Sequence, residues 1–125
     1  MPDFEKFEIG GKAEKLMFLI LDATTNRKNY PVKFRRVSDS LQSCAINTVS
    51  CILNANNIKQ TLPEWKRRRA ELQTAAISEI DKLLLFTKYS LHAKLISSAT
   101  AETWTGLAHD LKYMTLAWRK SCLQA

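Results

Sequence analysis

Glycine and proline are scarce, three of each in 125 residues. That excludes turn-rich sandwiches and barrels, collagen-like repeats and proline-rich linkers. Alternating runs of β-branched residues are nearly absent, so strands are not expected. Histidine occurs twice, as His92 and His109, with no carboxylate or cysteine at ligand spacing, and the paired Glu-x-x-His motifs of a di-iron bundle are missing. There is no phosphate loop, because Gly10-Gly11 precedes a helix without a Lys-Ser or Lys-Thr. Cysteine is limited to Cys44, Cys51 and Cys122, an odd number without Cys-x-x-Cys spacing. These read as reduced thiols packed in a core rather than disulfides or metal ligands. The longest solid apolar run, LMFLIL at 16–21, falls far short of the roughly 20 residues that cross a bilayer. With no signal-peptide pattern, the expectation is a soluble cytoplasmic protein without metal, cofactor, membrane or catalytic site.

What the chain does have is helix-forming residues. Ala, Leu, Lys, Glu, Gln and Arg fill long stretches, and 46% apolar with 25% charged residues suits an ordinary globular chain. The expected fold class is all-α, a single domain over 1–125 with residues 1–10 as a loosely attached N-terminal extension. Four helices follow from the 3.6-residue period and the boundary signals. The first starts at about Glu5 or Gly11, runs to Asn26 and carries Ala13, Leu16, Met17, Ile20 and Ala23 on one stripe. Pro31 disfavours helix at Tyr30 and ends it. The second, about Val32 to Asn56, carries Phe34, Val37, Leu41, Cys44, Ala45, Thr48 and Ile52.

The third, about Pro63 to His92, starts at TLPEW with Thr61 as cap and carries Leu72, Ala76, Ile80, Leu83 and Leu84. The fourth, about Ala101 to Leu123 with Ser98 or Thr100 as cap, carries Trp104, Leu107, Ala108, Leu111, Met114 or Thr115, Trp118 and Cys122. Tyr113, Leu116 and Leu123 add a second apolar set there. Short connections make an antiparallel up-down-up-down four-helix bundle the simplest packing. From Ser40 to Ile58 no residue is charged, and Ser40, Ser43, Asn47, Ser50 and Asn54 form a neutral polar stripe. A helix in bulk water normally shows Lys and Glu there, so this helix is expected to be covered centrally or by a neighbouring subunit.

Acid is the other shortage. Twelve Asp and Glu face 19 Lys and Arg, for a formal charge of +7. Such a balance favours nucleic acid, an anionic membrane or an acidic protein as partner. One cluster is Arg27, Lys28, Lys33, Arg35 and Arg36, with no acid among them. The other is Lys59 with Lys66, Arg67, Arg68 and Arg69, joined by topology to Arg119 and Lys120. Cations at a helix start oppose the helix dipole, so local stability does not account for them. Arg67 with Glu71 and Glu64 with Arg68 stand at i, i+4 and read equally as plain surface pairs, while Arg119 and Lys120 suit a helix C-terminus. Arg69 lies three residues before Leu72 on the apolar side. It either snorkels over the core edge or projects into a space shared between subunits.

Three stretches resemble the accessory variability determinant proteins of diversity-generating retroelements, a family related to the four-helix proteins of ribosomal RNA intervening sequences. They are YPVKFRRVSDSL (30–41), RRRAELQTAAISEIDKLL (67–84) and LISSATAETWTGLAHDLKYMTLAWRKS (95–121), the last closing on a Trp-plus-basic ending. Where members often carry glycines before that tryptophan, this chain has Thr115, Leu116 and Ala117. The resemblance implies a basic four-helix subunit of a barrel-like homopentamer. Its partners would be the element's reverse transcriptase and template-region RNA, supporting mutagenic cDNA synthesis without catalysing it. It further implies that Arg35, Arg36 and Arg67 to Arg69 contact phosphate, with Lys28, Lys33 and Lys66 in support; Trp118, from its place on the apolar stripe, is expected to pack rather than stack on bases. The rival expectations are a scaffold bundle whose cations meet an acidic protein, and an intervening-sequence type protein without a reverse transcriptase.

Overall fold

In the computed structural model the described residues are 4–125, with side chains from residue 8 onward, and all regular structure among them is helical. Helix α1 spans Phe4–Thr24, α2 Arg35–Asn56, α3 Trp65–His92 and α4 Ser98–Gln124, with one 3-10 turn at Val32–Phe34 ahead of α2. The extension expected over residues 1–10 is helical from Phe4, and Ile9 is buried. Residues 1–3 and the side chains of 4–7 lie outside the described residues.

Each helix buries a stripe repeating at three and four residues, which the helical pitch places on one side. Ile9, Ala13, Leu16 and Ile20 meet Leu41, Ala45 and Ile52, Ala76, Ile80 and Leu83, and Trp104, Ala108, Leu111 and Trp118 in one core. Helix α1 packs on α2 and α4, and α3 packs on α2 and α4, so that the backbones of neighbouring rather than diagonal helices approach each other. Thr24 near the end of α1 accepts from Gln42 near the start of α2 at 2.9 Å. Lys112 of α4 donates to Asp81 of α3 at 2.8 Å, and Lys12 of α1 lies 3.8 Å from Asp110 of α4. No helix among the described residues is long and apolar enough to cross a membrane.

The helix boundaries differ from the sequence expectation in ways that follow from capping. Helix α3 begins at Trp65, because Pro63 and Glu64 form the turn before it, and no side chain caps that start. Helix α4 begins one turn earlier than expected. Ser97, in extended backbone, caps it by accepting from the Thr100 amide at 3.1 Å, so the cap is neither Ser98 nor Thr100. The α3 stripe is also rotated. Leu72 and Leu84 are only half-buried, while Arg69, Gln73, Thr87 and Ser90 join Ala76, Ile80 and Leu83 inside. Thr115 is fully buried and returns its hydroxyl to the Leu111 carbonyl at 2.7 Å. Cys44 and Cys122 are buried, Cys51 is half-buried, and all three are free thiols.

Candidate nucleic-acid interface

The two sequence clusters occupy different ends of the molecule and have different chemistry. Around the start of α3, the run Lys66 to Arg69 breaks up. Arg67 is held by two carboxylates, Glu64 at 2.7 Å and Glu71 at 3.7 Å. The expected Glu64–Arg68 pair is therefore replaced by Glu64–Arg67, and Arg68 is exposed without an ion pair among the described residues. Lys66 is half-buried beside the Trp65 ring, 5.8 Å from its centroid, and donates to the Ala125 backbone oxygen. Arg119 is half-buried and donates to Thr74 Oγ1 at 2.9 Å, while Lys59 and Lys120 are exposed.

Arg69 is the correction. Its side chain is buried at 2% exposure, inside a single chain, and so neither snorkels outward nor projects toward another subunit. Nε donates to the Ala55 carbonyl at 2.9 Å and Nη2 to the Ile58 carbonyl at 2.7 Å. The guanidinium stacks 5.2 Å from the Trp65 centroid and approaches Cys122 Sγ at 3.9 Å. Those carbonyls are at the negative end of α2, where helical partners run out. Arg69 thus closes the C-terminus of α2 and has no donors left facing solvent for a phosphate. The signal was present in the sequence: Arg69, Gln73, Ala76, Ile80 and Leu83 follow the helical period better than Leu72 does.

The opposite end keeps its cations free. Arg27 and Lys28 lie on the connection after α1, Lys33 in the 3-10 turn, and Arg35 and Arg36 in the first turn of α2, all exposed. The connection is fixed from within. Asn26 accepts the Asn29 and Tyr30 amides on its carbonyl and the Lys28 amide on Oδ1 at 3.0 Å. Tyr30 is then driven into the core, fully buried against Ser90 of α3. Burial holds its phenol above its usual range, and neither its hydroxyl nor that of Ser90 beside it finds a hydrogen-bond partner.

Because Tyr30 sits on Ser90, the end of α3 and the turn after it join this end. They bring exposed Lys88 and Lys94, which stand far from the first cluster in sequence and were missed there. Lys94 takes a left-handed backbone, φ 62°, in that turn. Among the described residues none of Arg27, Lys28, Lys33, Arg35, Arg36, Lys88 and Lys94 is ion-paired. The first turn of α2 holds no acid. Such an end attracts polyanions by releasing their counterions.

Other surfaces offer less chemistry. An open groove between α1 and α4 is lined by Leu19, Asp22, Ala23, Ala99, Thr100, Thr103 and Trp104. A second, between α2 and α3, holds Asp39, Ser40, Ser43, Cys44, Asn47, Glu79, Lys82 and Phe86. There Glu79 is engaged by Asn47 at 3.3 Å and Lys82 at 3.1 Å. No group of three or more metal-ligating side chains occurs among the described residues. Comparison with protein families, curated proteins and solved structures gives no match.

Proposed function

We propose that this chain is a non-enzymatic nucleic-acid-binding subunit that works beside a reverse transcriptase of a diversity-generating retroelement. In this reading it binds the reverse transcriptase and template-region RNA in the cytoplasm and supports mutagenic cDNA synthesis. The observation that carries the nucleic-acid part is the set of exposed cations without carboxylate partners around Tyr30, the first turn of α2 and the turn after α3. The retroelement part rests on the resemblance of residues 30–41, 67–84 and 95–121. The pairings Thr24–Gln42, Lys112–Asp81 and Lys12–Asp110 fit an antiparallel up-down-up-down order.

Assembly into a homo-oligomer, a pentamer by resemblance, is part of the same reading. Exposed Ser43, Ile46, Asn47, Ser50, Leu53 and Asn54 give α2 an outward face without charge, and Ile46 and Leu53 remain 46% and 47% exposed. That face also favours the second reading, a scaffold that recognises another protein.

Salt titration of RNA binding tests the proposal. If about five of the free cations meet phosphate on a single strand, the slope of log affinity against log salt is expected near −3 to −4. No detectable binding at low salt would remove the nucleic-acid reading and leave the scaffold.

A further inference from the structure

We infer that the cationic end takes single-stranded rather than duplex nucleic acid, with Tyr89 as the platform on which an unpaired base stacks. This rests on the nucleic-acid reading of that end. Tyr89 is 44% exposed in the last turn of α3, and the His92 ring lies 6.1 Å from it at 44°. Leu85, one turn earlier on the same outward face, is 63% exposed. Tyr113 is the more exposed aromatic, but it lies midway along α4, whereas Tyr89 stands at the end of α3 that carries exposed Lys88 and Lys94.

The register between α2 and α3 brings the platform to the phosphate-binding groups. Asn47 bonds Glu79, and about two turns further on Asp39 and Ser40 share a groove with Phe86. Continued toward the cationic end, this register sets Arg36 level with Tyr89. Lys88 precedes Tyr89 in the chain, and Ser90 after it packs on Tyr30 of the basic connection. Further down the groove Asp39 is exposed and Glu79 is already paired with Lys82, so the unpaired cations lie at the Tyr89 end. A duplex would use the cations alone, because its base faces are covered by neighbouring base pairs. A single strand uses both, with phosphates on Arg36 and its neighbours and a base on the ring.

Fluorescence anisotropy with a labelled short mixed-sequence RNA, and with the same RNA annealed to its complement, decides it. At one salt concentration the wild type is expected to prefer the single strand. Tyr89→Ala should weaken that binding about tenfold, as loss of one stacked base does. Tyr89→Phe should keep it, and the duplex should notice neither change. Equal affinity for both forms, or an unmoved Tyr89→Ala while Arg35→Glu/Arg36→Glu abolishes binding, would overturn the single-strand inference and leave the nucleic-acid reading standing. Absence of binding to either form at low salt would overturn both. Far-ultraviolet circular dichroism of each variant keeps folding out of the comparison.

Discussion

The buried guanidinium of Arg69 ties the start of α3 to the end of α2 and lies against the Trp65 ring. As part of a run of four cations it reads as a phosphate contact. Its two carbonyl acceptors, at 2.9 and 2.7 Å, make it instead the closing group of α2. Arg69→Ala is expected to cost about 2–4 kcal/mol, since it opens a cavity and removes the guanidinium bonds to the Ala55 and Ile58 carbonyls, and urea unfolding would measure it. Arg69→Lys should recover only part, because an ammonium cannot span both acceptors as a planar fork does. A charge-reversal block that includes Arg69 would confound unfolding with lost binding, so Arg67 and Arg68 must be tested without it.

Cys44 gives a second expectation at this scale. Burial, with Glu79 adding to it, pushes its thiol from 9.0 up to about 11. Between those values the unfolded chain releases a proton that the native chain keeps, so stability should fall as pH rises from 9 to 11 and be unaffected by this group below 9. The loss is on the order of 1–3 kcal/mol, and the raised Tyr30 phenol acts in the same direction. Thermal melts across that range check it, with a flat profile contradicting it.

Among the elements, α2 sets local stability against surface chemistry. Lys33 precedes it and Arg35 and Arg36 open it, with no carboxylate in the first turn and no side-chain cap. Replacing Arg35 and Arg36 by Gln is therefore expected to raise stability by a few tenths of a kcal/mol each while weakening RNA binding. Melting temperature and anisotropy read the two effects separately. In contrast α4 is well begun, and Ser97→Ala should cost about 1 kcal/mol through the lost bond to the Thr100 amide.

At this scale the sequence was informative about helices and less so about their ends. Apolar spacing located all four helices, since Leu16, Ile20, Leu41, Ile52, Ile80, Leu83, Trp104 and Leu111 are core residues in the structure as in the stripes. Ends were displaced where a single cap decides them, as at Ser97, and where Pro63 started a turn rather than the helix. The face of α3 was misjudged because four polar residues, Arg69, Gln73, Thr87 and Ser90, occupy core positions, and polarity hid them from a hydrophobic pattern.

In the whole molecule the two basic clusters stop being equivalent. At the α3 start, carboxylates, Thr74, the Ala125 oxygen and burial engage most of the cations, leaving Lys59, Arg68 and Lys120. At the other end, chain segments distant in sequence assemble free charge around buried Tyr30. Linear spacing shows clusters within one segment, which is why Arg35 and Arg36 were legible and Lys88 and Lys94 were not. The uncharged face of α2 belongs to this scale too. Ile46→Lys with Leu53→Lys should lower the oligomeric mass by light scattering while helicity persists, and a wild type that is monomeric at high concentration would contradict the assembly.

The most direct measurement compares charge reversal at the two ends. Lys28→Glu/Arg35→Glu/Arg36→Glu and Arg67→Glu/Arg68→Glu/Lys120→Glu carry the same change in charge and spare Arg69. RNA affinity is measured for both across a salt series, beside the wild type. The first variant is expected to lose binding and flatten the salt dependence, and the second to lose only the modest affinity that net charge supplies. Equal losses, or a greater loss from the α3 start, would contradict a nucleic-acid interface centred on the Tyr30 end.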